Sequence, residues 1–135
     1  MGRRRLVNVL LDTHILLCLV STPSNVDASA LAVITDPNTK VWVAAASAWE
    51  IAIKTRLGRL DGETLLSTWA DTIADMSTTE LPIESADAIL AGRLPWDHKD
   101  PFDRVIIAQA LRRNLTIATR DSKILDAALT PTLQA

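Results

Sequence analysis

Residues 100–121 read Asp100-Pro101-Phe102-Asp103-Arg104-Val105-Ile106-Ile107-Ala108-Gln109-Ala110-Leu111-Arg112-Arg113-Asn114-Leu115-Thr116-Ile117-Ala118-Thr119-Arg120-Asp121, and the fold follows from how that run divides. Asp100 is a good N-cap, Pro101 suits the first helical position, and Asp103 then falls in the first turn. A largely apolar helical run extends to Arg113. Leu115–Ala118 is short and rich in β-formers, and Asp121 is placed to cap the next helix. One helix therefore starts with a carboxylate, and one strand ends beside another. In an open α/β sheet those two places share a rim, the rim where ligands bind.

Outward from that stretch the chain repeats the same alternation. Val7–Leu11 is a short apolar run with the pattern of a strand buried on both faces, and Asp12 ends it. His14–Val20 opens a helix, which Ser21–Asn25 breaks. A helix is expected from about Val26 to Ile34, stopped by Asp36-Pro37-Asn38, and a second buried strand over Lys40–Ala45. Ser47-Ala48-Trp49-Glu50 has the pattern of a capping box opening a helix over Ile51–Leu57, which Gly58 stops. One further helix is expected over about Gly62–Asp75. Thr79–Ile83 reads as a strand that Pro82 confines to an edge. Ser85–Ala91 is a helix ended by Gly92, and Leu94–Lys99 is a loop. Ser122–Leu129 is the last helix and Thr130–Leu133 a last edge strand. Strands separated by helices need crossover connections. The expected fold class is thus α/β, a single-domain α/β/α sandwich around a mainly parallel central sheet.

The chain of 135 residues is long enough for one domain with a full core. Its apolar content of 48% and charged content of 22% are those of a compact soluble protein. Cys18 is the single cysteine, which excludes a disulfide framework; it reads as a small buried hydrophobe in a reducing compartment. Arg3-Arg4-Arg5 before Leu6–Val20 resembles a signal peptide superficially. Asn8, Asp12, Thr13 and His14 interrupt the apolar run, however, so export is rejected and no transmembrane candidate stands. Residues 1–5 read as a flexible basic tail ahead of a domain spanning 1–135. A net charge of −2 gives no general steering toward nucleic acid.

Four acids stand out. Asp12 follows the first strand, Glu50 begins the helix after the second, Asp103 begins a helix, and Asp121 follows a later strand. In a parallel sheet these points lie along one edge. Each has a plain reading: Glu50 completes a capping box or pairs with Lys54, Asp103 favours the helix dipole or pairs with Arg104 or Arg120, and Asp121 caps. Together they read as a site. Clustered carboxylates repel one another and stay ionised cheaply only around a cation. Oxygen ligands without cysteine favour Mg²⁺ or Mn²⁺ over zinc. Such ions in an acidic pocket serve phosphodiester hydrolysis, and they let a net-acidic protein bind a polyanion.

Leu10-Leu11-Asp12-Thr13-His14, Ser47-Ala48-Trp49-Glu50-Ile51-Ala52, Leu94-Pro95-Trp96 with Asp97–Arg104, and Thr119-Arg120-Asp121 resemble a PIN domain, and more narrowly the VapC-type toxins of bacterial type II toxin–antitoxin systems. The motifs occur in the expected order across nearly the whole chain. The resemblance implies a parallel sheet of about five strands and a metal-dependent endoribonuclease. It places Asp12, Glu50, Asp103 and Asp121 as catalytic residues and ligands of Mg²⁺ or Mn²⁺, with Thr13 and Thr119 supporting. It further implies an RNA substrate, a homodimer, a VapB-type antitoxin whose C-terminal segment blocks the site, and a cytoplasmic location in a bacterium or archaeon.

Other residues admit two readings. Asp100 is an N-cap or a ligand; His98 is a surface-loop histidine or an RNA contact; His14 is helix-start packing or a surface donor. Trp49 and Trp96 pack or stack on bases. Arg104 and Arg120 contact phosphates or pair with the acids. Apolar helix faces around Leu31, Ile34, Leu65 and Trp69 are candidates for a dimer surface. Two rival functions remain at this level. One is an aspartyl-nucleophile phosphatase, which usually needs an acid where His14 stands. The other is a non-catalytic, acid-rimmed interaction module.

Overall fold

A computed structural model describes residues 7–135; the basic segment 1–5 lies outside the described residues. The order is β1 (Val7–Leu11), α1 (Thr13–Ser21), a 3₁₀ turn (Pro23–Asn25), α2 (Ala28–Thr35), β2 (Thr39–Ala44), α3 (Ala45–Arg56), α4 (Glu63–Ser67), α5 (Trp69–Asp75), β3 (Thr79–Leu81), α6 (Ser85–Arg93), α7 (Pro101–Arg113), β4 (Thr116–Thr119), α8 (Ser122–Ala127) and β5 (Thr132–Gln134). The five strands form one sheet in the order β3-β2-β1-β4-β5, every pairing parallel.

The apolar run Val9-Leu10-Leu11 belongs at the sheet centre because both faces are covered there. Val9 and Leu11 join Val41 and Val43 in a core with residues of α1, α2, α4 and α5. Leu10 points the other way, into a second core with Ile117, Ile106, Ile107 and Ala110. Strand alternation thus divides one hydrophobic run between two layers, and all three residues are fully buried. The chain winds outward from β1 through β2 to β3, then returns to the centre and continues as β4 and β5. The crevice between the C-terminal ends of β1 and β4 is therefore the topological switch point.

Several expected boundaries move. The helix after β2 begins at Ala45, not Ile51, so Ser47 and Glu50 lie inside it and form no capping box. The Ser47 hydroxyl instead sits 2.8 Å from that of Thr13, in a buried contact between α1 and α3. The expected helix Gly62–Asp75 is two helices, broken at Thr68, whose hydroxyl donates to the Thr64 carbonyl at 2.8 Å. Gly62 is required for packing: a Cβ there would meet Thr55 Oγ1 at 2.5 Å and Ile51 Cγ2 at 2.8 Å. Gly92 lies within α6 instead of ending it. Gly58, at φ 73°, does follow the end of α3, and Asn114, at φ 54°, ends α7 in the left-handed conformation. Of the residues named for a dimer surface, Ile34 and Leu65 are core residues, while Leu31 and Trp69 are half-buried and pack against that core.

Candidate active site

The switch point gathers the acids. Asp12 ends β1, Glu50 faces in from the second turn of α3, Asp103 lies in the first turn of α7, and Asp121 follows β4. All four line a cleft of about 290 Å³, together with Thr13, Asp100, Lys54 and Arg120. Five carboxylates thus face two cations. Asp12, Glu50 and Asp103 are buried.

Each acid is held differently. Thr119 Oγ1, at the end of β4, donates to Asp12 Oδ2 at 2.7 Å across the sheet, and accepts the Asp121 N–H at 3.1 Å. Lys54 Nζ donates to Glu50 Oε2 at 2.6 Å, one helical turn away. That bond is the main reason the Lys54 ammonium is held above its ordinary pKa. Asp121 caps α8 by accepting the Lys123 N–H, and Asp100 caps α7 by accepting those of Phe102 and Asp103. Asp103 caps nothing. Its Oδ2 lies 2.7 Å from His98 Nε2, which corrects the pairing expected with Arg104 or Arg120.

The electrostatics follow from burial and mutual repulsion. Burial pushes the Asp12 carboxyl up; the bonds from Thr119 and the Thr13 N–H oppose this, and Glu50 and Asp121 add to it. Burial likewise pushes Asp103 up, to about 6, against the hydrogen bond to His98 and with the charges of Asp100 and Asp12 adding. Unfolded, Asp103 titrates near 3.8. Between those two values the folded protein holds a proton that the unfolded chain lacks, so this group favours folding as pH falls through about 6. In EDTA, then, the site contribution to unfolding free energy should be larger at pH 5 than at pH 7, measured by urea titration as the difference between wild type and Asp103→Asn.

His98 was read from sequence as a surface-loop residue. It is part-buried, with its ring centroid 4.8 Å from that of Trp96. His98, Asp103 and Asp121 each offer a ligating atom, and these atoms lie within 4.8 Å of one another. The loop that delivers His98 is held by Arg104. Its Nε donates to the Ala91 carbonyl at 2.8 Å, Nη1 to those of Trp96 (2.6 Å) and His98 (3.0 Å), and Nη2 to that of Leu94 (2.8 Å). Arg104 is therefore corrected as an RNA contact: its guanidinium faces the loop. Lysine has the charge but not the fork that reaches all four carbonyls. Arg104→Lys is expected to cost about 2 kcal/mol and to speed amide exchange over residues 94–98, read by urea melts and hydrogen exchange.

Arg120 remains at the cleft, with Nη2 donating to the carbonyls of Asn25 and Ala135. His14 is an exposed wall residue, and Cys18 is buried as expected. Trp49 overturns the packing expectation, being 55% exposed with its ring centroid 4.9 Å from that of Phe102.

A family model for the PIN domain matches residues 9–129. The chain belongs to the PIN domain family. PIN domains are generally nucleases, hydrolases of phosphodiester bonds. No sequence among curated proteins matches the chain. Similar solved structures include VapBC2 from Rickettsia felis bound to a DNA fragment from their promoter, with TM-score 0.69 and 12% identity over 94% of this chain and 98% of that one. VapBC-1 from nontypeable Haemophilus influenzae gives TM-score 0.67 and 17% identity, covering 95% and 98%. FitAcB from Neisseria gonorrhoeae gives 0.58 and 18%, covering 93% and 96%. At these identities the likeness establishes the fold, a PIN-like α/β/α sandwich with five parallel strands.

The donor set of this PIN domain fits a divalent cation. Two buried carboxylates, Asp12 and Asp103, are driven toward protonation, and among the described residues no lysine or arginine forms an ion pair with either. A divalent cation held by these oxygen donors would relieve that repulsion.

Proposed function

We propose that this protein is a metal-dependent endoribonuclease, the toxin of a VapC-type toxin–antitoxin pair. The observation that carries the reading is the convergence of Asp12, Glu50, Asp103 and Asp121 on one cleft at the switch point of a PIN sheet. These four would hold Mg²⁺ or Mn²⁺, with His98 beside Asp103 as a fifth donor. The bound ion supplies Lewis acidity toward a water and the scissile phosphate.

The protein's own part is positioning. Thr119 and the Thr13 N–H fix the Asp12 carboxylate, Lys54 orients Glu50, and His98 orients Asp103. Thr13 also ties α1 to α3 through Ser47, so Asp12 and Glu50 sit on elements that move together. Arg120 borders the cleft where a flanking phosphate would lie. Hydrolysis forms the bond from water oxygen to phosphorus and breaks the bond to the leaving ribose oxygen.

The toxin reading draws support from neighbours that are themselves VapBC and FitAB assemblies, and from it follow a VapB-type antitoxin, a homodimer and a cytoplasmic site of action. Among the described residues no helix is long and apolar enough to cross a membrane. The test is cleavage of total bacterial RNA by the purified protein. Cleavage should stop with EDTA, return with Mn²⁺, and be absent in Asp12→Ala under both conditions. EDTA-resistant cleavage, or cleavage by Asp12→Ala, would overturn the reading.

A further inference from the structure

Among the described residues Trp49 is the most exposed of the large apolar side chains, 55% accessible, and belongs to neither hydrophobic core. Its aromatic partner is Phe102, with ring centroids 4.9 Å apart and planes at 83°. An edge-to-face pair fixes an indole at low entropic cost while leaving ring surface in water. The position is specific. Trp49 immediately precedes Glu50 on α3, and Phe102 immediately precedes Asp103 on α7, so the pair bridges the two helices beside two acids of the cleft. Two turns along the same side of α3 stands Arg56, also exposed. An exposed aromatic followed by a cation is the combination that holds single-stranded nucleic acid, by base stacking and backbone charge.

We infer that Trp49, braced by Phe102, is a stacking platform for an unpaired nucleobase of the RNA strand held at the acids. The inference rests on the nuclease reading above and adds a subsite to it. Every base has a π-face, so the platform favours single strands without selecting one base.

The probes are oligoadenylate, oligouridylate and an abasic sugar–phosphate oligomer of equal length and charge. Each is titrated into wild type, Trp49→Ala and Trp49→Phe in Ca²⁺, with affinity read by anisotropy. Wild type should bind both base-bearing oligomers about 5- to 100-fold more tightly than the abasic one. Trp49→Ala should lose that preference while binding the abasic oligomer as wild type does, and Trp49→Phe should keep most of it. An unchanged base preference in Trp49→Ala overturns the platform. So does a parallel loss for all three oligomers, or a wild-type dimer that Trp49→Ala dissociates, which would make Trp49 a protein contact. Failure of the nuclease reading shows separately, as absent Asp12-dependent cleavage of total RNA, and removes the platform with it.

Discussion

Asp103→Asn should abolish RNA cleavage and lower Mn²⁺ affinity at least about 100-fold, while raising the melting temperature of the metal-free protein. Removing a partner behind a metal ligand costs about 10- to 100-fold in affinity, so neutralising a ligand itself costs no less. The stability gain comes from the same carboxylate. Asp103 is buried beside Asp12 and Asp100, and its displacement from 3.8 to about 6 is worth at most about 3 kcal/mol against the folded state at pH 7. Asparagine removes the charge and keeps the shape. The charge-assisted bond to His98 already counts against that displacement, so the net gain is at most about 3 kcal/mol. For a chain of this length each kcal/mol gained is worth roughly 4 °C. Mn²⁺ should offset that gain: at one hundred times its Kd it adds about 2.7 kcal/mol to wild type and almost nothing to the variant. Melting curves in EDTA and in Mn²⁺, with calorimetric titrations alongside, read all three effects. A less stable variant in EDTA would show that Asp103 and His98 form a structural pair instead of a strained site.

Asp87→Ala should destabilise the protein by about 3 kcal/mol without touching the cleft. Asp87 is fully buried between α6 and α7 and accepts from the Glu84 N–H at 2.9 Å, Gln109 Nε2 at 3.3 Å, Arg112 Nη1 at 2.5 Å and Arg113 Nη1 at 2.9 Å. Burial alone would push its carboxyl up. The bonds from Arg113, Glu84, Arg112 and Gln109 outweigh burial and hold it well below the usual carboxylate range. Removing one partner of a buried ion pair leaves the other uncompensated, at about 3–5 kcal/mol. The lower figure applies because the Arg112 and Arg113 side chains keep 33% and 21% of their surface and can turn toward water. The pH sign is opposite to that of Asp103. A depressed pKa stabilises above the unfolded value of 3.8, and that stabilisation is lost as pH falls below it. Urea unfolding at pH 7 and pH 3 should therefore show a large gap between wild type and Asp87→Ala that narrows in acid. A gap of equal size at both would mean that the lost packing, not the charge, sets the cost.

The acids of the cleft were legible because strand-terminal and helix-initial positions of a parallel sheet share an edge whatever the loops do. Asp12, Glu50, Asp103 and Asp121 could thus be grouped before any coordinates. Asp87 was not legible as a network centre: a first-turn acid looks the same in sequence whether it meets solvent or the two arginines of α7. Glu50 was grouped correctly with its helix start misplaced, since the Ser47-x-x-Glu50 pattern is real but its serine bonds to Thr13 of another element. Trp49 was left between packing and stacking because a tryptophan near a helix start carries no mark of which face is covered.

What the sequence determined by itself is the alternation of short apolar runs with helices, hence a parallel sheet with β1 inside, and the edge on which its acids gather. Those follow from local chemistry: periodicity, caps and the geometry of crossovers. What only the tertiary structure decided are the partners of each polar group. Arg104 spends its guanidinium on four carbonyls of its own chain, His98 is brought against Asp103, Asp87 is surrounded by donors, and Trp49 is left in water. Each depends on which elements pack across the sheet, and a side chain's neighbours in space leave no trace in its neighbours along the chain.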